Sequence, residues 1–510
     1  MSSTKAVAPA QPFFFFVFLA STALALLNAY PGNVHRNTSE IYMWSSLGFE
    51  LIYERHPPLL PWIVGSLNYL IPVNYAVLAA LSAFNVTLAA YAVWRIARLA
   101  FNEARAALVL AIYWLSSYTL WHAVKLDHNA ILLSTWSLAV WAFLLSLRDP
   151  KWWRGLILGL ASAAAIYAKY TSALLLFAIA VAAITSRHRA TYFRTVAPYL
   201  ALATLILLVA PLAWAAYQDW VAYQDQSTLH FGLKQAVPIG SIPVYMLATN
   251  LLKLLPVLAG FALLYFWIGP PQRESSAPSE SNTQSESTRY LRELLILVFL
   301  PYFLIVVANV AFGLRGSQAW PMPVFALVPI LLVSLLGTPN ATQSGVLYRA
   351  SPYVLCLIPV VGVLMLATQF RRSDHNVVEP TKELALQAAS IWGKAIDRPV
   401  GVVAGDPAMD MSASLALPDH PRAWANFVNH WWITPELIDQ RGLLAFCREE
   451  NKPCNATGNR LVREHDGWTC QIQGHRSLLG MTGPPLKIQV YFVPPKTVEA
   501  KETCTPEGSR

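Results

Sequence analysis

Glu40 stands in Asn37-Thr-Ser-Glu-Ile-Tyr42-Met-Trp44, directly after the first apolar run of the chain. A carboxylate just outside a membrane serves as general base for a hydroxyl nucleophile or as a metal ligand. The stretch Asn37 to Glu40 also matches a helix capping box, a purely structural use. Glu54-Arg55-His56-Pro57-Pro58 then sets two cations before a proline pair that restricts the backbone. Arg55 suits a phosphate group, with contact to lipid headgroups as the alternative. Lys125-Leu-Asp127-His128-Asn129 supplies a second carboxylate, which either shares acid and base roles with Glu40 or caps the next helix. Tyr167-Ala-Lys169-Tyr170-Thr171 and Leu314-Arg315-Gly-Ser-Gln-Ala-Trp320 each bring one cation beside aromatics. Snorkelling explains either singly; Arg55, Lys169 and Arg315 together suit an anionic lipid-linked substrate.

Those residues need a membrane scaffold, and composition supplies one. The 510 residues are 55% hydrophobic and 13% charged, with a mean hydropathy of +0.42, outside the range of soluble domains. The net charge of +9 does not signal nucleic acid, because Lys and Arg sit mainly in short loops where they orient helices against the bilayer. Apolar runs near 12–30, 72–94, 105–121, 129–147, 155–168, 171–186, 196–216, 242–268, 294–313, 321–337 and 351–370 predict about eleven transmembrane helices. A Lys at mid-depth of a lipid-facing helix is costly, so 155–186 is read as two helices with Lys169 at a surface. The first run, without a clean cleavage site after it, is expected to be a retained signal-anchor.

Arg95, Arg98, Arg105, Arg148, Lys151, Arg154, Arg187, Arg189 and Arg194 mark the cytoplasmic loops. The N-terminus is then inside, and the loops holding Glu40, Asp127, Lys169 and Arg315 open on the other face. The Ser-, Glu- and Pro-rich stretch at about 270–290 reads as a flexible cytoplasmic linker.

Residues 1–372 form the expected membrane domain and 373–510 a small soluble α+β domain on the external side. A helix near 381–397 and strands at Val400–Ala404 and Ile488–Val493 are its clearest elements. Its Cys447, Cys454, Cys470 and Cys504 are candidates for disulfides in an oxidising compartment. Zinc binding and free thiols are the alternatives, the former lacking a CxxC pair. Trp424, Trp431, Trp432 and Trp468 are assigned to its core rather than to a glycan platform.

In order and motif, residues 12–370 resemble the membrane GT-C glycosyltransferases, which include protein O-mannosyltransferases, the aminoarabinose transferase of lipid A and rhizobial lipopolysaccharide galacturonosyltransferases. The resemblance rests on the acidic motif after the first helix, Pro57-Pro58-Leu59, Asp127 before the fourth helix, Lys169-Tyr170-Thr171 and the segment Arg315 to Pro323. It implies inverting transfer of a hexosyl or pentosyl unit from a polyprenyl-phosphate sugar to a lipid, lipopolysaccharide or other glycan acceptor, less readily a protein, at the periplasmic face of a bacterial inner membrane. Carried over, Glu40 and Asp127 are the catalytic candidates, and Arg55, His56, Lys169, Tyr170 and Arg315 the substrate-binding ones. Relatives of the lipopolysaccharide type often have Asp three residues before the Glu, where this chain has Asn37. Membrane lipids and the carrier-linked sugar are the expected partners, and nucleic acid is not. A divalent cation, Mg or Mn, is compatible with the carboxylates, although no His/Asp cluster demands one. A lipid-linked sugar flippase or transporter is the alternative, but it predicts charges at mid-membrane in broken helices rather than at one face.

Overall fold

The structure, a computed structural model, describes residues 11–29, 34–53, 56–223, 241–270, 290–311, 321–340, 379–428, 431–478, 481–498, Cys504 and a few residues between 342 and 370. The chain opens with α1 (Gln11–Ala29), the short α2 (Arg36–Ser45), α3 (Leu59–Leu70) and α4 (Tyr75–Ala100). It continues through α5 (Glu103–Trp114), α6 (Ser117–Ala123), α7 (Ala130–Arg148), α8 (Trp152–Ala168), α9 (Ser172–Thr185) and α10 (Arg189–Phe193). Then follow α11 (Ala197–Tyr223), α12 (Ser241–Ile268), α13 (Leu291–Ala311), α14 (Met322–Phe325) and α15 (Val328–Ser334). Among the described residues, five helices are long and apolar enough to cross a membrane, within α4, α7, α11, α12 and α13, with shorter apolar helices beside them. The protein is a multi-pass membrane protein.

The expected break at Lys169 is present, separating α8 from α9. Two other runs are more broken than their hydropathy suggests. Residues 105–121 divide at Leu115 and Ser116, between α5 and α6. Residues 321–337 become two short helices, each with a proline in its first turn, where a missing N–H costs nothing. The run 351–370 lies largely, and the 272–288 linker wholly, outside the described residues.

Helices in lipid gain little from hydrophobic burial against each other, so close backbone approach carries their packing. Gly155 and Gly159, one turn apart on α8, face α11 so tightly that a Cβ on Gly155 would meet the Ala197 carbonyl oxygen at 2.2 Å and one on Gly159 the Ala201 carbonyl at 2.7 Å. The α8–α11 contact therefore depends on glycine and sets the height at which α8 ends and Lys169 begins. Arg105 has a second job beside orientation. Its guanidinium is buried and donates to the carbonyls of Val333, Ser334 and Leu336 at 2.9, 3.3 and 2.6 Å, adding to the bond that Val333 already accepts from the Leu336 amide at the end of α15.

The C-terminal segment builds a five-stranded sheet of order β2-β1-β3-β5-β4, from β1 (Val402–Gly405), β2 (Arg422–Ala425), β3 (Leu443–Arg448), β4 (Trp468–Leu478) and β5 (Met481–Val493). β1 pairs in parallel with β2 and β3, while β5 runs antiparallel to β3 and β4. Helices Thr381–Ala395, Pro407–Ala416, Pro435–Arg441 and Lys452–Glu464 accompany it. Trp432 and Trp468 are buried, but Trp431 is 62% exposed, so the core assignment fails for that residue. Cys447 is bonded to Cys454 and Cys470 to Cys504. The first pair is buried, whereas Cys504 lies exposed.

Gly155→Leu is expected to destabilise the protein by about 1–3 kcal/mol, the usual cost of forcing methylenes into a packed contact, read as a lower Tm in detergent. Graded reduction followed by thiol labelling is expected to open Cys470–Cys504 before Cys447–Cys454, because access limits exchange; the reverse order would contradict the burial difference.

Candidate active site

The helix that carries Glu40 starts two residues earlier than a capping box at Asn37 requires. His35 is the N-cap of α2, and its Nδ1 accepts from the Asn37 amide at 3.2 Å. Burial first, then the Lys125 charge, lowers the His35 imidazole to about 4, so the ring stays neutral and keeps the lone pair that the cap needs. Asn37 therefore lies inside the first turn, and Glu40 lies beyond it, half-buried. The capping-box alternative is overturned, because a residue outside the motif supplies the acceptor.

Asn37 is free to use its side chain elsewhere, and its Nδ2 donates to Asp127 Oδ2 at 3.1 Å. One residue on, Thr38 Oγ1 accepts from the Leu126 amide at 3.1 Å. Two consecutive residues of α2 thus grip the loop before α7. Within that loop Asp127 caps α7: its Oδ1 accepts from the amides of Asn129 and Ala130 at 2.9 and 2.7 Å. Lys125 Nζ sits 2.8 Å from Oδ2. Asp127 is 2% exposed, and burial opposes its ionisation. The Lys125 ammonium leads the groups that overcome this and hold the carboxyl well below the usual carboxylate range. A carboxylate so stabilised is a weak base. The helix-capping alternative for Asp127 is the arrangement found.

Asn129 connects this loop to the basic residue. Lys169, at the break between α8 and α9, donates from Nζ to Asn129 Oδ1. The break is pinned from both sides. Trp136 Nε1 donates to Ser172 Oγ, which donates to the Ala165 carbonyl, and His128 Nδ1 lies 3.2 Å from the Ala168 carbonyl. Burial lowers the Lys169 ammonium to about 8, with Asp127 working against the shift. His128 is stacked on His56 with ring centroids 4.4 Å apart, and Trp44 of α2 contacts both rings. The Tyr53–His56 bridge holds His56 in place through paired backbone bonds of 3.0 and 2.9 Å.

Glu40's helix, Asp127, His56 and Lys169 are thus brought together, and Tyr170 is 36% exposed next to Lys169. Arg55 and Arg315 lie outside the described residues. Asn37, Lys125, Asn129 and His128 were present in the motifs but carried no assignment. Their polarity beside a carboxylate was the only sequence signal. Asp410 had none: it is fully buried on helix Pro407–Ala416, and burial pushes its carboxyl well above the usual range. That helix packs against α2, where Ser39 and Ser412 hydroxyls meet at 3.2 Å and Tyr42 meets the His420 ring. Among the described residues, no group of three or more His, Cys, Asp or Glu is placed to hold a metal ion.

The fold, a helix bundle with a small C-terminal sheet, resembles that of the GT-C membrane glycosyltransferases. Residues 55–214 match the family model described as dolichyl-phosphate-mannose-protein mannosyltransferase. The structure is similar to ArnT from Cupriavidus metallidurans bound to undecaprenyl phosphate, with a TM-score of 0.58 and 12% identity over 94% of this chain and 98% of that one. ArnT in the apo state gives 0.56, again at 12% identity, over 95% and 98%. The archaeal oligosaccharyltransferase AglB from Archaeoglobus fulgidus gives 0.43 at 12% identity, over 93% and 74%. No curated protein sequence matches the chain.

An anion that pairs with Lys169 is expected to bind less tightly as pH rises through about 8, because the amine must first take up a proton. Binding of a long-chain alkyl phosphate measured from pH 6.5 to 9.5 is expected to weaken over that interval, and Lys169→Met to remove the dependence. A flat native profile would sever Lys169 from the anion site.

Proposed function

We propose that this chain is an inverting glycosyltransferase that moves a sugar from a polyprenyl-phosphate carrier to a hydroxyl acceptor at the external face of the membrane. The observation that carries the reading is the continuous bonded path from the α2 helix of Glu40, through Asn37, Asp127 and Asn129, to the ammonium of Lys169. A carboxylate and a cation held a fixed distance apart on one face suit a reaction that removes a proton at one end and leaves an anion at the other.

The acceptor hydroxyl gives its proton to Glu40 while its oxygen forms the new bond to the anomeric carbon. The bond from that carbon to the carrier phosphate oxygen breaks, and the phosphate leaves with the electron pair. Lys169 compensates the departing charge, with Arg55 and Arg315 as further candidates. Asp127, saturated and low in basicity, positions this apparatus and does not act as the base. His56, stacked on His128, lines the same cluster and serves binding. Tyr170, beside Lys169, is assigned to the carrier.

The sheet-containing segment after about residue 373 is assigned to the periplasmic side, together with the loops of the site. Two supports are its disulfides and its packing against α2. ArnT, to which the fold is similar, is bound to undecaprenyl phosphate in one of its structures, which supports a polyprenyl-phosphate carrier as donor; a lipid, lipopolysaccharide or other glycan acceptor and a bacterial inner membrane are what the sequence resemblance implies.

In a transfer assay with labelled polyprenyl-phosphate sugar, Glu40→Gln is expected to lower kcat by about 10²–10⁴, the usual contribution of a positioned base, with little change in carrier KM. Native-like transfer by that variant would remove Glu40 from the chemistry.

A further inference from the structure

The side chain of Asn37 belongs to the interior of the site, yet no step of the proposed transfer uses it. Asp127 has two carboxylate oxygens, and each already has two partners: the Asn129 and Ala130 amides on Oδ1, the Lys125 ammonium and the Asn37 amide on Oδ2. A carboxylate has about four lone-pair sites, so the shell is full. Because Asp127 is ionised, and therefore only an acceptor, Asn37 must present its NH₂ group to it.

We infer that Asn37 is a positioning residue for Glu40: its amide locks α2 onto the Asp127 turn in an arrangement that requires an uncharged donor at position 37. This rests on the proposed role of Glu40. The geometry gives the reason for the residue type. Asn37 and Thr38 both bond the loop 125–127, and Glu40 lies one helical turn from Asn37 on the same face. Loosening the first bond lets Glu40 shift relative to Lys169, and a small misplacement costs rate more than binding. A carboxylate at position 37 would put a second negative charge at the 3.1 Å separation now held by the amide. One ammonium, Lys125, would then face two carboxylates, an arrangement that attracts a hard divalent or trivalent cation through oxygen ligands.

Three variants of the full chain in detergent test this: Asn37→Ala, Asn37→Asp and Asn37→Asp combined with Asp127→Asn. Asn37→Ala is expected to lower kcat about tenfold at an unchanged carrier KM. Asn37→Asp is expected to lose more activity and to gain a Tb³⁺ luminescence signal, competed by Ca²⁺, that the native protein lacks. The double variant restores one carboxylate facing one amide, so it is expected to lose that signal and to be at least threefold more active than Asn37→Asp. Native kcat in Asn37→Ala, no Tb³⁺ signal in Asn37→Asp, or a double variant no better than the single would each overturn the assignment. The Tb³⁺ titration needs no turnover. It therefore stands even where Glu40→Gln transfers sugar normally, which would end the base assignment while leaving the Asn37–Asp127 contact tested separately.

Discussion

The buried charge on Asp127 is the constraint from which the rest of the site follows. A carboxylate out of water is tolerated only where donors replace its hydration, and this one draws them from three parts of the chain: α2 through Asn37, its own loop through Lys125, and the first turn of α7 through two backbone amides. Removing one partner of such a pair commonly costs about 3–5 kcal/mol, because the other charge is left uncompensated. The same compensation that ties these segments together also lowers the basicity of the carboxyl. Asp127 is thereby fitted to hold its neighbours in place and unfitted to deprotonate a hydroxyl, in keeping with the proposed assignment of that step to Glu40.

The membrane part and the sheet-containing segment share α2. Helix Pro407–Ala416 meets it through Ser412, and His420 beyond that helix through Tyr42, while the loop before α7 holds it through Asn37 and Thr38. A ten-residue helix has too little internal cooperativity to be stable alone, so its position is decided by these contacts. Buried Asp410, two residues before Ser412 on the same helix, adds an ionisable group whose neutral form suits that packing. Deeper in the bundle, Gly155 and Gly159 fix α8 against α11 and Ser172 ties the following break to α7, so the place of Lys169 is set by backbone proximity and one buried hydroxyl.

Much of this architecture was legible from residues alone. Apolar runs marked the helices, and the cost of a mid-membrane Lys placed the break between α8 and α9 at Lys169. The polar composition after residue 372 marked the α+β segment. Hydropathy could not reveal that 105–121 and 321–337 are each divided, since a break flanked by apolar residues changes composition little. It also had no means of separating an orienting Arg from Arg105, which caps a helix end more than 200 residues away in sequence.

For the site, residue types and order determined which side chains were available: a carboxylate after the first helix, a second before α7, a Lys at a helix break. Those follow from local chemistry and from the energetics of charge near lipid. Whether Asp127 is saturated with donors or open to take up a proton was decided by tertiary structure alone. That distinction depends on partners such as Asn37, 90 residues from Asp127 in sequence, and a charge's basicity is set by what surrounds it in space rather than by its neighbours along the chain.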